Sequence, residues 1–393
     1  MGGKIGIVTL YHDNLNFGGL LQAFALHHVV ETRGYECELV TFDLDLMGHY
    51  TRRLVHFKPS QAYDAIKRNL SFRFCGADLK RMRKERIHAF KQFEKSIPHS
   101  KIVTKSDYRT QIEDYDVVLV GSDQVWNPAW WNDILLLNGV DGAKIVKASY
   151  AASMGCSSLD ARDSKELAYS LADYAFLSVR EKSAADIIRS AINDKADIEV
   201  VLDPTLLLSR DEWFKALPSF AEARIPDSPY AFIYMVDKQD RYTEKSIRAC
   251  ADAGLIPVVV TYGLDKNYKE EFGGRALILH DCSPEEWVRL LDGSAVIITD
   301  SFHGIAFSCN FEKRFWCFRK AETLNGSNKD DRQEALLSRL GLSTRIIDAE
   351  KDLTKTMLLS EPRFLKCSEE LKVEKESSFV YLDRCLTAAS ISR

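Results

Sequence analysis
At 393 residues the chain exceeds the roughly 250 to 300 at which a single hydrophobic core stops growing. Two domains with a cleft between them are therefore the expectation. With 46% hydrophobic residues, 28% charged residues and a net charge of −4, the composition excludes a disordered, fibrous or globally basic nucleic-acid-binding chain.

The N-terminus, Met1-Gly2-Gly3-Lys4-Ile5-Gly6, has no apolar signal-peptide run, and Gly6 stands where a myristoylation motif needs Ser or Thr. The longest apolar runs, such as 117–120 and 256–261, are of core-strand length, far short of the roughly 20 residues that span a bilayer. A cytoplasmic protein is expected. Residues 4–10 read as a first strand, 14–19 as an Asn/Gly turn, 20–33 as a helix ended by Gly34, and 36–42 as a second strand. From 52 to 109 the pattern becomes helical and basic, with sixteen Lys or Arg against five Asp or Glu. It reads as an insertion with a basic face. That face is either simply solvated or suited to an anionic acceptor or the inner face of a membrane. Strands resume at 116–120, 148–152, 175–179 and 198–202. After a polar, Pro-containing stretch at 219–229 a second series follows at 230–236, 256–261, 276–279, 295–299 and 314–318. Strands alternating with helices indicate an α/β class with two Rossmann-like, doubly wound units. The expected units are residues 1–222, carrying the basic insertion, and 223–393, with a C-terminal helical tail.

The nine cysteines are scattered, odd in number and without a CxxC pair, so neither a disulfide framework nor a metal site is indicated. The Asn-x-Ser triplets at Asn69 and Asn325 matter only in a secreted chain.

Ligands of open α/β sheets bind beyond the carboxyl ends of the strands, where helix N-termini favour anions. Four segments qualify. In Asn16-Phe17-Gly18-Gly19, Asn16, Gly18 and Gly19 make either a binding loop or a turn needing positive φ; the GxGxxG and P-loop spacings are absent. In Gly121-Ser122-Asp123-Gln124-Val125-Trp126-Asn127-Pro128, the polar residues Ser122, Gln124 and Asn127 offer hydrogen bonds. Trp126 offers a flat face to a sugar or to packing, and Asp123 is either a general base or a helix N-cap. Arg180, at a strand end, aims a guanidinium fork at carboxylate or phosphate, unless Glu181 or another acid pairs with it. In Asp300-Ser301-Phe302-His303-Gly304, Ser301 and Gly304 flank His303, placed as an acid or an anion ligand before a helix at 305–309.

These motifs, with Ser178-Val179-Arg180-Glu181 and Asp203-Pro204-Thr205-Leu206-Leu207, resemble the polysaccharide pyruvyl transferase family in composition and order over about residues 4 to 347. The resemblance implies a GT-B-like fold, no cofactor, phosphoenolpyruvate as donor, and a sugar or lipid-linked oligosaccharide of a surface polysaccharide as acceptor. It implies that Arg180 and His303 contact the donor, His303 as acid or as ligand of the leaving phosphate. Arg332, in Asp331-Arg332-Gln333, matches a recurrent family arginine. Arg314 stands where members of the family more often carry Pro, a departure that leaves the expected fold unchanged. A nucleotide-sugar glycosyltransferase and a catalytically idle scaffold of a polysaccharide assembly complex are the competing readings.

Overall fold
A computed structural model describes residues 3–43, 77–193, 196–237, 240–263, 267–319 and 332–390. The first half of the expected basic insertion, with Cys75 and Asn69, lies outside the described residues, as do Asn325 and Asp331. The strands are β1 (Lys4–Val8), β2 (Glu36–Leu39), β3 (Val117–Val120), β4 (Val146–Ser149), β5 (Leu177–Val179), β6 (Ile198–Val200), β7 (Tyr230–Tyr234), β8 (Ile256–Val260), β9 (Leu277–Leu279), β10 (Val296–Thr299), β11 (Phe315–Phe318) and β12 (Ile346–Ile347). The longer helices are α1 (Phe17–Glu31), α2 (Ala77–Glu94), α3 (Ala161–Leu171), α4 (Lys182–Ile192), α5 (Asp240–Ala253), α6 (Pro284–Gly293), α7 (Phe302–Asn310), α8 (Arg332–Arg339) and α9 (Phe364–Thr387).

The first sheet runs β2-β1-β3-β4, and parallel bridges from Ala148 to Phe176 and from Ala152 to Val179 extend it to the β5-β6 pair. The second runs β12-β11-β10-β7-β8-β9. Every strand pairing is parallel among the described residues. Parallel sheets are covered on both faces, which is why β3 (Val-Val-Leu-Val) and β10 (Val-Ile-Ile-Thr) are buried throughout rather than alternating. The strands up to residue 200 form the first sheet and those from residue 230 the second, so the chain crosses from one to the other between these positions. β12 was not anticipated, because a two-residue strand leaves no periodic signal.

The last helix does not stay with the second sheet. Along α9, the Tyr381 hydroxyl donates to the Ser149 carbonyl at 2.8 Å, Ser378 Oγ accepts from Leu202 N at 2.9 Å, and Arg384 pairs with Glu199 at 2.7 Å. The tail is thus packed onto the first sheet, a long-range contact that chain order does not encode.

One apolar core is shared by both halves. The Phe17 ring of α1 stacks on Trp287 of α6 at 5.8 Å and meets Tyr234 of β7 edge-on at 5.6 Å. Two further cores lie on the outer faces of the two sheets. Helix α2, from the basic insertion, joins the halves through Arg86, which is fully buried. Its Nη2 donates to the Leu15 carbonyl at 3.1 Å, its Nη1 donates to the Thr261 carbonyl, and its guanidinium lies 4.6 Å from the Phe17 ring centre. At least this one cation of the insertion therefore belongs to the interior rather than to a solvated face. No helix among the described residues is long and apolar enough to cross a membrane.

Candidate active site
The carboxyl ends of β3, β5, β6 and β10 converge on one buried carboxylate, Asp203. Its Oδ1 accepts from Thr205 N at 3.0 Å and Thr205 Oγ1 at 2.7 Å. Its Oδ2 accepts from Ser122 Oγ at 3.0 Å and from Arg180 Nη1 at 2.8 Å, and lies 3.7 Å from His303 Nε2. Burial opposes the charge on Asp203, but His303, Arg180 and Thr205 outweigh it and hold the carboxyl well below the usual range. The histidine distance is too long for a hydrogen bond, so its share of that effect is a charge contact.

Arg180 follows β5 directly, and its guanidinium lies 4.0 Å from the Phe302 ring centre. Only Nη1 is hydrogen-bonded. Nε and Nη2, which together make the side-on edge of the fork, are buried without a hydrogen-bond partner. They stand 3.7 Å from Glu181 Oε2 and 3.7 Å from Asp123 Oδ1, respectively. Burial pushes the Glu181 carboxyl up, against the pull of Arg180, Ser153, Arg332 and the Met154 amide. Arg180, Glu181, Asp203, Phe302, Arg332 and Arg339 line a recess between the halves. Arg332 opens α8, with both terminal nitrogens near the Gln124 amide. Turning the amide oxygen toward the guanidinium gives contacts of 2.7 and 2.9 Å.

His303 lies inside the first turn of α7, which begins at Phe302 rather than after Gly304. Ser301 is its N-cap, accepting from Gly304 N at 3.3 Å, and the absence of a side chain at Gly304 lets the helix approach Thr299. The His303 ring reaches across to the other half and rests on Gly18, where a Cβ would fall 1.9 Å from Nδ1. Gly18 is therefore a close-approach position for the histidine. Gly18→Ala should cost about 1 to 3 kcal/mol, the range for overpacking a filled site. A thermal melt reads this directly, and an unchanged midpoint would mean that the ring moves aside freely.

The other expected site residues are placed as follows. Asn16 is the N-cap of α1, accepting from Gly18 N at 3.1 Å, so the helix starts at Phe17 and the expected turn is shorter. Gly19 packs beside the Leu10 carbonyl. Ser122 is fixed on its backbone too, its N–H donating to Gln22 Oε1 at 3.1 Å. Asp123 caps no helix. It sits at φ 62°, with its carbonyl accepting from Val125 N and Ser153 N. Trp126 corrects the expectation of a sugar platform: it is fully buried in an outer core, edge-on to Tyr174 at 6.0 Å. Asn127 Oδ1 accepts from Ala129 N at 2.9 Å and shapes the loop. The structure therefore brings Arg180 and Arg332 to the recess, with Ser122 and His303 beside Asp203, Asp123 beside Arg180 and Gln124 beside Arg332. It leaves Asn16, Gly19, Trp126 and Asn127 as supports.

The sequence model of one protein family, described as polysaccharide pyruvyl transferase, matches residues 16–319. The chain belongs to this family. No curated protein matches it. Among solved structures, UDP-N-acetylglucosamine 2-epimerase from Rickettsia bellii is similar at TM-score 0.55 and 12% identity, covering 98% of each chain. The S. aureus MnaA–UDP co-structure is similar at TM-score 0.49 and 11% identity, covering 91% of this chain and 86% of that one. At such identity the likeness speaks for the fold alone, a GT-B-like pair of Rossmann-like domains.

Within this pyruvyl transferase family member, the matched stretch contains Asp203, Arg180 and His303, whereas Arg332 and α9 lie beyond it. Asp203 was missed as a site residue. It comes soon after β6, beyond Val201 and Leu202, and this nearness to a strand end was the signal available. Arg339 was missed as well. It donates from Nη1 to the Arg180 carbonyl at 3.2 Å and from Nε to Glu374 at 3.1 Å, and nothing local to its own helix marks it.

Proposed function
We propose that the protein transfers the enolpyruvyl unit of phosphoenolpyruvate to a sugar hydroxyl and closes it into a pyruvate ketal on a surface polysaccharide or its lipid-linked precursor. The observation that carries this reading is a set of buried nitrogens without hydrogen-bond partners: Arg180 Nε and Arg180 Nη2 at the recess, and His303 Nε2 beside Asp203, which lines it. Orphaned buried donors of this kind call for a ligand that accepts from them. Phosphoenolpyruvate, small and carrying nearly three negative charges, matches that demand.

In this reading the side-on edge of Arg180 takes the donor carboxylate or phosphate, and Arg332 adds a second guanidinium. His303, with the N-terminus of α7 behind it, serves the phosphate that leaves. The methylene carbon gains a proton, the acceptor hydroxyl attacks the adjacent carbon, phosphate departs, and a second hydroxyl of the same sugar closes the ketal. The reaction belongs in the cytoplasm, where its donor is made, and the basic insertion suits an anionic acceptor or the inner membrane face.

Incubation with phosphoenolpyruvate and lipid-linked glycans, reading phosphate release and product mass, tests the reading. Ketal-bearing product with one phosphate per turnover is expected. The competing nucleotide-sugar reading shares the same fold. A thermal shift with UDP-, GDP- or CMP-sugars but none with phosphoenolpyruvate would decide for it.

A further inference from the structure
We infer that Glu181 is the catalytic acid that protonates the donor's methylene carbon, an inference that rests on the phosphoenolpyruvate reading above. Glu181 is the N-cap residue of α4, yet its side chain makes no capping hydrogen bond. The carboxyl is instead turned back toward the loop after β4, where Oε1 accepts from Ser153 Oγ at 2.7 Å and from Met154 N at 3.2 Å. Those two donors leave Oε2 as the atom with a task. It is buried, has no hydrogen-bond partner, lies 3.7 Å from Arg180 Nε, and belongs to a residue lining the recess. An orphaned carboxyl oxygen beside the orphaned edge of a guanidinium marks the place where a ligand's reacting atoms sit against an acid.

The charges around it favour a neutral carboxyl once the donor binds. Arg180 contacts Asp203, Asp123 and Glu181 but hydrogen-bonds only Asp203. Arg332 and Arg339 line the recess, and His303 lies beyond Asp203. The Arg180 guanidinium is thus shared among three carboxyl groups. Burial already pushes Glu181 up, and a donor bringing nearly three negative charges to the Arg180 edge pushes in the same direction.

The step balances. The proton on Oε2 passes to C3, whose new C–H bond takes the electron pair of the C2–C3 double bond. The acceptor hydroxyl oxygen bonds to the electron-poor C2, and its proton returns to the Glu181 carboxylate. The C2–O bond to phosphate then breaks with its electron pair, the second hydroxyl bonds to C2, and the second hydroxyl's proton leaves with the phosphate.

The test is steady-state kinetics of wild type and Glu181→Gln with phosphoenolpyruvate and a glycan acceptor. The amide keeps the Ser153 and Met154 contacts and removes the acid. The expected result is a donor KM within about 3-fold of wild type and a kcat lower by about 10²- to 10⁴-fold. Because the acid acts protonated, wild-type kcat falls as pH rises through its titration, and the residual activity of the variant lacks that limb. A folded variant with kcat within about 3-fold of wild type, or one that keeps the limb, overturns the inference while leaving the reaction in place. A wild-type protein that neither binds the donor nor releases phosphate overturns both. Should Glu181→Gln not fold, infrared difference spectra of wild type with and without donor decide. A protonated-carboxyl band with donor bound supports the assignment, and its absence overturns it.

Discussion
His303→Ala should lower turnover by about two to four orders of magnitude, the range for loss of a positioned acid or charge-stabilising donor. The imidazole Nε2 is buried without a hydrogen-bond partner, 3.7 Å from the Asp203 carboxylate, in the first turn of α7. That carboxylate keeps its hydrogen bonds from Ser122, Thr205 and Arg180 when the histidine is removed. The fold should therefore survive the substitution, at the cost of a void over Gly18 where the ring now rests. Circular dichroism and a thermal melt establish folding, and phosphate release under donor saturation gives the rate. A folded variant turning over at nearly the wild-type rate would make His303 a packing residue between the halves and remove it from the chemistry.

The second large effect is expected at Arg180. Arg180→Lys keeps one positive charge but replaces a planar fork by a point charge. In the native protein Nη1 holds Asp203 at 2.8 Å while Nε and Nη2 stay without hydrogen bonds, so the two edges of the fork do separate things. A lysine ammonium can face Asp203 or the donor, not both with the same geometry. Losing a charge-assisted hydrogen bond to a desolvated anion costs about 1.5 to 3 kcal/mol, which corresponds to a roughly 10- to 150-fold weaker phosphoenolpyruvate affinity. Acceptor affinity should change little. Folding should persist because Asp203 keeps its contacts to Ser122 and Thr205. Titration calorimetry with donor and with acceptor separates the outcomes. Unchanged donor affinity in a folded variant would assign Arg180 wholly to the ion pair with Asp203.

Much of this site is legible in the amino-acid sequence. Positions of β1, β3, β5 and β10 follow from short apolar runs, and the rule that ligands gather beyond the carboxyl ends of parallel strands selected Ser122, Arg180 and His303. The sequence also presented Asp203-Pro204-Thr205 as a motif without showing that its carboxylate is the point on which the others converge.

What the sequence by itself determined is local: the α/β alternation, the doubly wound halves, the strand ends, and the residue types waiting there. These rest on backbone hydrogen bonding and side-chain periodicity within some twenty residues of chain. Only the tertiary structure decided the contacts between distant segments. It set the His303 ring on Gly18, drew Arg180 and Asp203 together, buried Trp126 in an outer core, passed Arg86 between the halves, and carried α9 back to the first sheet. No spacing encodes such contacts. The same Arg, Asp or Trp at a strand end satisfies the local pattern whether it faces a ligand, a counter-ion or a core. The choice falls to the burial and charge compensation that the packed chain imposes.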